Sequence, residues 1–114
     1  MITKQEFDYA AKKVASNTSA YLPKMISYKN YVQRAVLNIA TPKELADVRD
    51  GHINQNLIDK LCMIAKREWL LSRDADSLYC IVIAVGTIVK EYDWGTIYVS
   101  GNGPWELSQR IQNA

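Results

Sequence analysis

Glu68 is the residue of this chain most suited to acid–base chemistry, because helical spacing sets its carboxylate in the middle of an apolar arc, between Ile64 and Leu71. A carboxyl group buried there would have a raised pKa or be paired with a base, which is the setting of a general acid or base. It has no second acid beside it, and a carboxylate near a helix end more often reaches water or ties a neighbouring helix through Lys or Arg. The single histidine, His52, follows Gly51 and stands near Asp47 and Asp50. Those groups could hold a metal or shuttle a proton, but a polar residue after a helix-ending glycine is also ordinary turn chemistry. The acid pairs Asp74/Asp76 and Glu91/Asp93 fall where helix caps and element ends belong.

Cys62 and Cys80 lie in apolar stretches with seventeen residues between them and no CxxC spacing. That pattern fits two buried, reduced thiols and not a zinc site. The chain contains no GxSxG, HExxH or P-loop pattern, and its one glycine cluster, Gly101-Asn102-Gly103-Pro104, has the length of a turn. The expectation is a non-enzymatic protein that uses no cofactor and no metal.

Something must position whatever surface does the work, and composition bounds that frame. The chain has 114 residues, 48% of them hydrophobic and 23% charged, which suits a single globular domain spanning 1–114. The formal charge is +2, too balanced for nucleic-acid or membrane binding by bulk electrostatics. Its distribution is uneven, since residues 1–40 carry six bases against two acids. No basic-then-apolar leader opens the sequence, and the longest uncharged run, Ser77 to Val89, is thirteen residues. About 20 apolar residues are needed to span a bilayer, so a cytoplasmic protein is expected, with no membrane partner.

Thr3 followed by Glu6 is a capping-box pattern, and Phe7, Ala10, Ala11, Val14 and Ala15 then share a face, predicting a helix over 4–17. After Pro23, the spacing of Met25, Tyr28, Tyr31, Val32, Ala35, Val36 and Ile39 predicts a helix to Ala40. Thr41-Pro42-Lys43-Glu44 opens a short helix that ends near Gly51, and another runs from about Ile53 to Leu71. From Leu78 to Val89 the chain is apolar on every side, and seven of the nine residues from Ile81 to Val89 are β-branched. A buried helix to Tyr92, capped by Ser77 or Asp76, is preferred there. The alternative is a meander with strands Thr87 to Tyr92 and Thr96 to Ser100. The segment Thr96 to Ser100 is expected to be extended in either case, and Pro104 to open a last short helix. The fold class is therefore mainly α, a bundle of four to six helices with a short extended segment or hairpin near the C-terminus, or α+β if residues 79–100 form the meander.

Function is then sought in apolar residues on the polar sides of these helices. Met63 and Leu70 lie seven apart among Asp59, Lys66 and Arg67, while Ile26 and Leu37 lie beside Asn30 and Gln33. Such rows are either a second layer of core or docking surfaces for another protein or a second copy of this one. The leading expectation is a protein-interaction module, such as a small regulator or inhibitor of the kind mobile elements encode. The alternative is a nucleic-acid-binding regulator. It would use Lys24, Lys29 and Arg34, or the Asn54, Gln55 and Asn56 triplet as base readers at the start of a helix. Tyr28 and Tyr31 are expected to face the core, which would remove them as stacking platforms.

Overall fold

Thr3 accepts a hydrogen bond from the Glu6 amide at 3.2 Å while Glu6 accepts one from the Thr3 amide at 3.1 Å, so the chain enters its first helix through a closed capping box. The computed structural model describes residues 1–52, 54–91 and 103–114. Among them the helices are α1 (Lys4–Ala15), α2 (Thr18–Ile39), α3 (Pro42–Arg49), α4 (Gln55–Trp69), α5 (Ala75–Glu91) and α6 (Gly103–Gln112). The mainly α class is thus what the fold shows. The extended Thr96 to Ser100 and the Glu91/Asp93 pair lie outside the described residues and side chains. A radius of gyration of 13.7 Å matches the about 13 Å of a compact chain of this length.

Three helix ends follow directly from local chemistry. Thr41 and Glu44 close a second capping box around Pro42, whose missing N–H has no partner to lose at the first helical position. α3 then stops in a Schellman turn: the His52 amide donates to Asp47 O at 2.8 Å and the Gly51 amide to Val48 O at 3.0 Å, with Gly51 at φ +83°. α4 begins with Asn54, whose side chain accepts from the Leu57 amide at 3.2 Å. It leaves through Arg73, which holds φ +64° without being glycine. Left-handed backbone costs a residue with a Cβ about 1 kcal/mol. Gly51→Ala should therefore lower the unfolding free energy by about 1 kcal/mol and Arg73→Gly raise it by a similar amount, both read from denaturant midpoints at constant m.

α2 departs from the sequence expectation, because it starts five residues before Pro23 and runs through it. A proline inside a helix costs about 3 kcal/mol, since it removes a backbone donor and crowds the carbonyl four residues earlier. Here the turns on both sides of Pro23 are tied to α5. The Tyr21 hydroxyl donates to Asp76 at 3.1 Å and the Lys24 ammonium to Ser77 Oγ at 2.6 Å. Tertiary bonds override the local break.

α5 forms the buried helix preferred from the sequence and is described through Glu91, so the alternative strand starting at Thr87 does not form there. Its cap is Asp74, whose Oδ1 accepts from the Ser77 amide at 2.7 Å, in place of the expected Ser77 or Asp76. Burial over most of its circumference decides the outcome, with Tyr79, Ile83 and Thr87 half-buried along one side. α5 packs against α1, α2, α4 and α6, and Leu78, Ile81, Val82, Val85 and Ile88 are fully buried. Thr87 settles its hydroxyl on Ile83 O at 2.8 Å, so even this β-branched polar residue is satisfied within the helix. Around α5 the core takes Val32 and Val36 from α2, Leu57 and Leu61 from α4, and Leu107 and Ile111 from α6. Phe7 of α1 sits between Tyr79 and Trp105, with ring centroids 5.4 and 5.5 Å away. The Ile2 amide donates to Gln112 Oε1 at 2.9 Å and joins the first residues to α6.

Candidate docking surface

Val32 and Val36 fix the inner side of α2, and the opposite side of the same helix carries apolar side chains that the core does not use. Leu22 is 47% exposed, Ile26 49% and Tyr31 51%. With Ser19, Pro23, Ser27, Asn30 and Arg34 they line a shallow depression, largely open to solvent, formed by α2 alone. Tyr28 packs on the core as expected, whereas Tyr31, one helical step from Val32, is turned outward. Ile39 is also half exposed, since it occupies the last turn of the helix. Leu37 packs against the core, so the row formed by Ile26 and Leu37 is divided: Ile26 belongs to the surface and Leu37 to the interior.

The second row is exposed at both ends, Met63 at 46% and Leu70 at 38%, with Leu71 beyond it. Its charged neighbours are partly engaged. Lys66 Nζ donates to Ala114 O at 2.9 Å and Asp59 stands 3.6 Å from Arg110, while Arg67 is exposed. A smaller depression of about 350 Å³ lies between Met63 and Ala114.

The groups considered for nucleic-acid contact are dispersed. Lys24 points inward to Ser77 and lies 5.9 Å from the Tyr28 ring centroid. Asn54 caps α4 with its oxygen and donates its nitrogen to Asp47 at 2.8 Å, so its side chain is used within the fold. Gln55 accepts from Arg110 at 3.3 Å, and Asn56 is exposed. Arg34 remains exposed on the α2 depression, and Lys29 is half-buried.

Among the described residues the buried carboxylate is Glu44, while Glu68 is half-buried. Glu44 Oε1 receives Lys60 Nζ at 2.7 Å and the Thr41 amide at 2.8 Å. The Lys60 ammonium, followed by the Thr41 amide, holds its carboxyl below the usual range. The signal was present in the sequence as a capping box, but the base sixteen residues on gives no local sign. Folding therefore favours the carboxylate. The resulting stability is complete above about pH 4.5, the carboxyl's ordinary value, and is lost as pH falls through the lowered folded value. Glu44→Ala, which removes both the cap and the pair, should cost about 2 kcal/mol at pH 7 and flatten this acid limb in pH-dependent unfolding curves.

The start of α5 gathers the other polar cluster. Asp76 takes Lys13 at 2.9 Å as well as Tyr21. Burial, then the Asp76 carboxylate, raises the Tyr21 hydroxyl, and Asp76 raises Lys13. A serine beside a lysine amine can be a nucleophile with its base, but here the Lys24 ammonium is the donor to Ser77 Oγ at 2.6 Å. Ser77 is fully buried, however, and its contacts tie α2 to α5 where a substrate atom has no access. Cys62 and Cys80 are buried thiols pushed up to about 11 by desolvation, far from thiolate character at neutral pH. His52 is exposed beyond the α3 turn. Among the described residues no three His, Cys, Asp or Glu side chains gather where they could hold a metal ion, and no helix is long and apolar enough to cross a membrane.

Taken together, the described residues define a mainly helical protein whose most distinctive surface is the outer side of α2. No known family model, no curated protein and no solved structure matches the chain.

Proposed function

We propose that this protein is a non-enzymatic protein-interaction module, a small regulator or inhibitor that docks another protein on the outer side of α2. The observation that carries this reading is the stripe of Leu22, Ile26 and Tyr31, each about half exposed on a helix whose core-facing side is already complete. Single exposed apolar residues are ordinary, but three of them around one depression give the contiguity that interfaces use. The Met63 and Leu70 row of α4 offers a smaller second contact.

Affinity capture from cells of the source organism tests the reading, comparing the tagged wild type with Ile26→Asp and running nuclease-treated samples in parallel. A protein recovered in stoichiometric amount by the wild type, resistant to nuclease and lost with Ile26→Asp, supports docking. Recovery that depends on nucleic acid would replace it with the nucleic-acid-binding regulator.

A further inference from the structure

We infer that the start of α2, residues 18–22, is a latch held shut by Asp76, which opens while the rest of the bundle stays folded and uncovers the Cys80 thiol. Local chemistry disfavours a helix in this stretch. Asn17, at the N-cap, makes no side-chain capping bond, and no acid stands in the first turn to answer the helix dipole. The Thr18 hydroxyl donates back to Ala15 O at 3.2 Å, which secures the bend between α1 and α2 and not the helix beyond it. Pro23 has no N–H to give the Ser19 carbonyl four residues earlier, and its ring crowds that carbonyl. A second helix start is ready at Pro23 itself, where a proline in the first helical position loses nothing. Contacts outside the helix therefore choose between the two starts.

The choice falls on one oxygen. Asp76 Oδ2 accepts from the Tyr21 hydroxyl at 3.1 Å and from the Lys13 ammonium at 2.9 Å, so it gathers the start of α2 and the end of α1 onto the start of α5. Lys24, bonded to Ser77 Oγ at 2.6 Å, anchors the helix beyond Pro23 and keeps its hold when the stretch before it lets go. Release of residues 18–22 gives up little packing, because Tyr21 is half-buried and the other four are exposed. One turn on from Asp76 along α5, the Cys80 thiol is fully buried, outside the main apolar cluster and within electrostatic reach of Tyr21, Lys24 and Asp76. Ser19 and Leu22 line the α2 depression, so opening the latch removes one end of it. The latch stands without the docking role, and only its effect on binding rests on that role.

The test is thiol labelling of the folded full chain with iodoacetamide in increasing urea, the rates at Cys80 and Cys62 being read separately by mass spectrometry of the digested protein. Without urea Cys80 should react at least about tenfold faster than Cys62 and respond only weakly to added denaturant, whereas Cys62, inside the core cluster, should follow the steep slope of global unfolding. Asp76→Ala should raise the Cys80 rate about tenfold. Tyr21→Phe, which keeps the ring and removes the hydroxyl, should raise it about threefold and serves as the second variant should the first disturb folding. Ile111→Val, in the buried side of α6, should raise the Cys62 rate about fivefold and leave Cys80 unchanged, because the closed and open latch lose the same core contact. A Cys80 rate that matches Cys62 at every urea concentration, or that ignores both latch variants, would overturn the latch. No partner enters these readouts, so failure of the latch and failure of the docking role are separate results.

Discussion

Ile81→Ala, which removes three buried side-chain carbons, should lower the free energy of unfolding by about 3–4 kcal/mol. Ile81 is fully buried at the middle of α5, the helix that α1, α2, α4 and α6 all touch. A cavity there is walled on every side by other helices, so the surroundings can collapse only in part. For a domain of this size the loss corresponds to a fall in Tm of about 15 °C. Ile81→Val, which removes one methyl group, should cost about 1 kcal/mol. Thermal unfolding followed by circular dichroism reads both. Equal small effects for the two variants would mean that α5 is not the enclosed centre of the molecule.

Phe7→Ala should cost about 3 kcal/mol and act differently, by loosening one helix from the rest. The Phe7 ring meets Tyr79 of α5 edge-on and Trp105 of α6 at a tilt, so it is the point at which α1 joins two other helices. Burial of a phenyl ring contributes most of the loss, and the aromatic geometry adds about 0.5–1.5 kcal/mol. The near-UV circular dichroism band should weaken with the loss of this packing while the far-UV signal keeps most of its helix content. Phe7→Leu, which retains volume without the ring, should recover more than half of the stability.

Much of this fold was legible in the sequence where local chemistry settles the matter. Thr3 with Glu6, Thr41 with Glu44, and Gly51 each specify a helix end through groups within three residues, and each does so in the structure. What was not legible depends on groups far apart in the chain. Pro23 reads as a helix boundary, and only the bonds from Tyr21 and Lys24 to a segment more than fifty residues later explain why the helix continues through it. The helix preferred over residues 78–91 is the one that forms, but periodicity could say little for it against a strand, because the sequence there is apolar on every side. Glu68 lies half-buried near the end of its helix, in line with the favoured reading that it reaches water; the acid that is buried, Glu44, was not singled out because its partner Lys60 lies sixteen residues on.

The docking face was half legible. Phase identified Ile26 as lying on the wrong side of its helix but assigned Leu37 to the same row and Tyr31 to the core. A single helical wheel cannot say how wide an arc the neighbouring helices cover, and in α2 that arc is centred on Val32 and Val36. Cover along the helix decides which of its apolar residues become surface.

Site-specific photo-crosslinking tests the central claim most directly, with a photoreactive phenylalanine analogue placed at Ile26, at Met63, or at the exposed Gln109 of α6, in cells of the source organism. The account predicts one discrete, nuclease-resistant protein adduct from position 26, a weaker one or none from position 63, and none from position 109. Adducts of equal yield from positions 26 and 109, or adducts to nucleic acid alone, would contradict it.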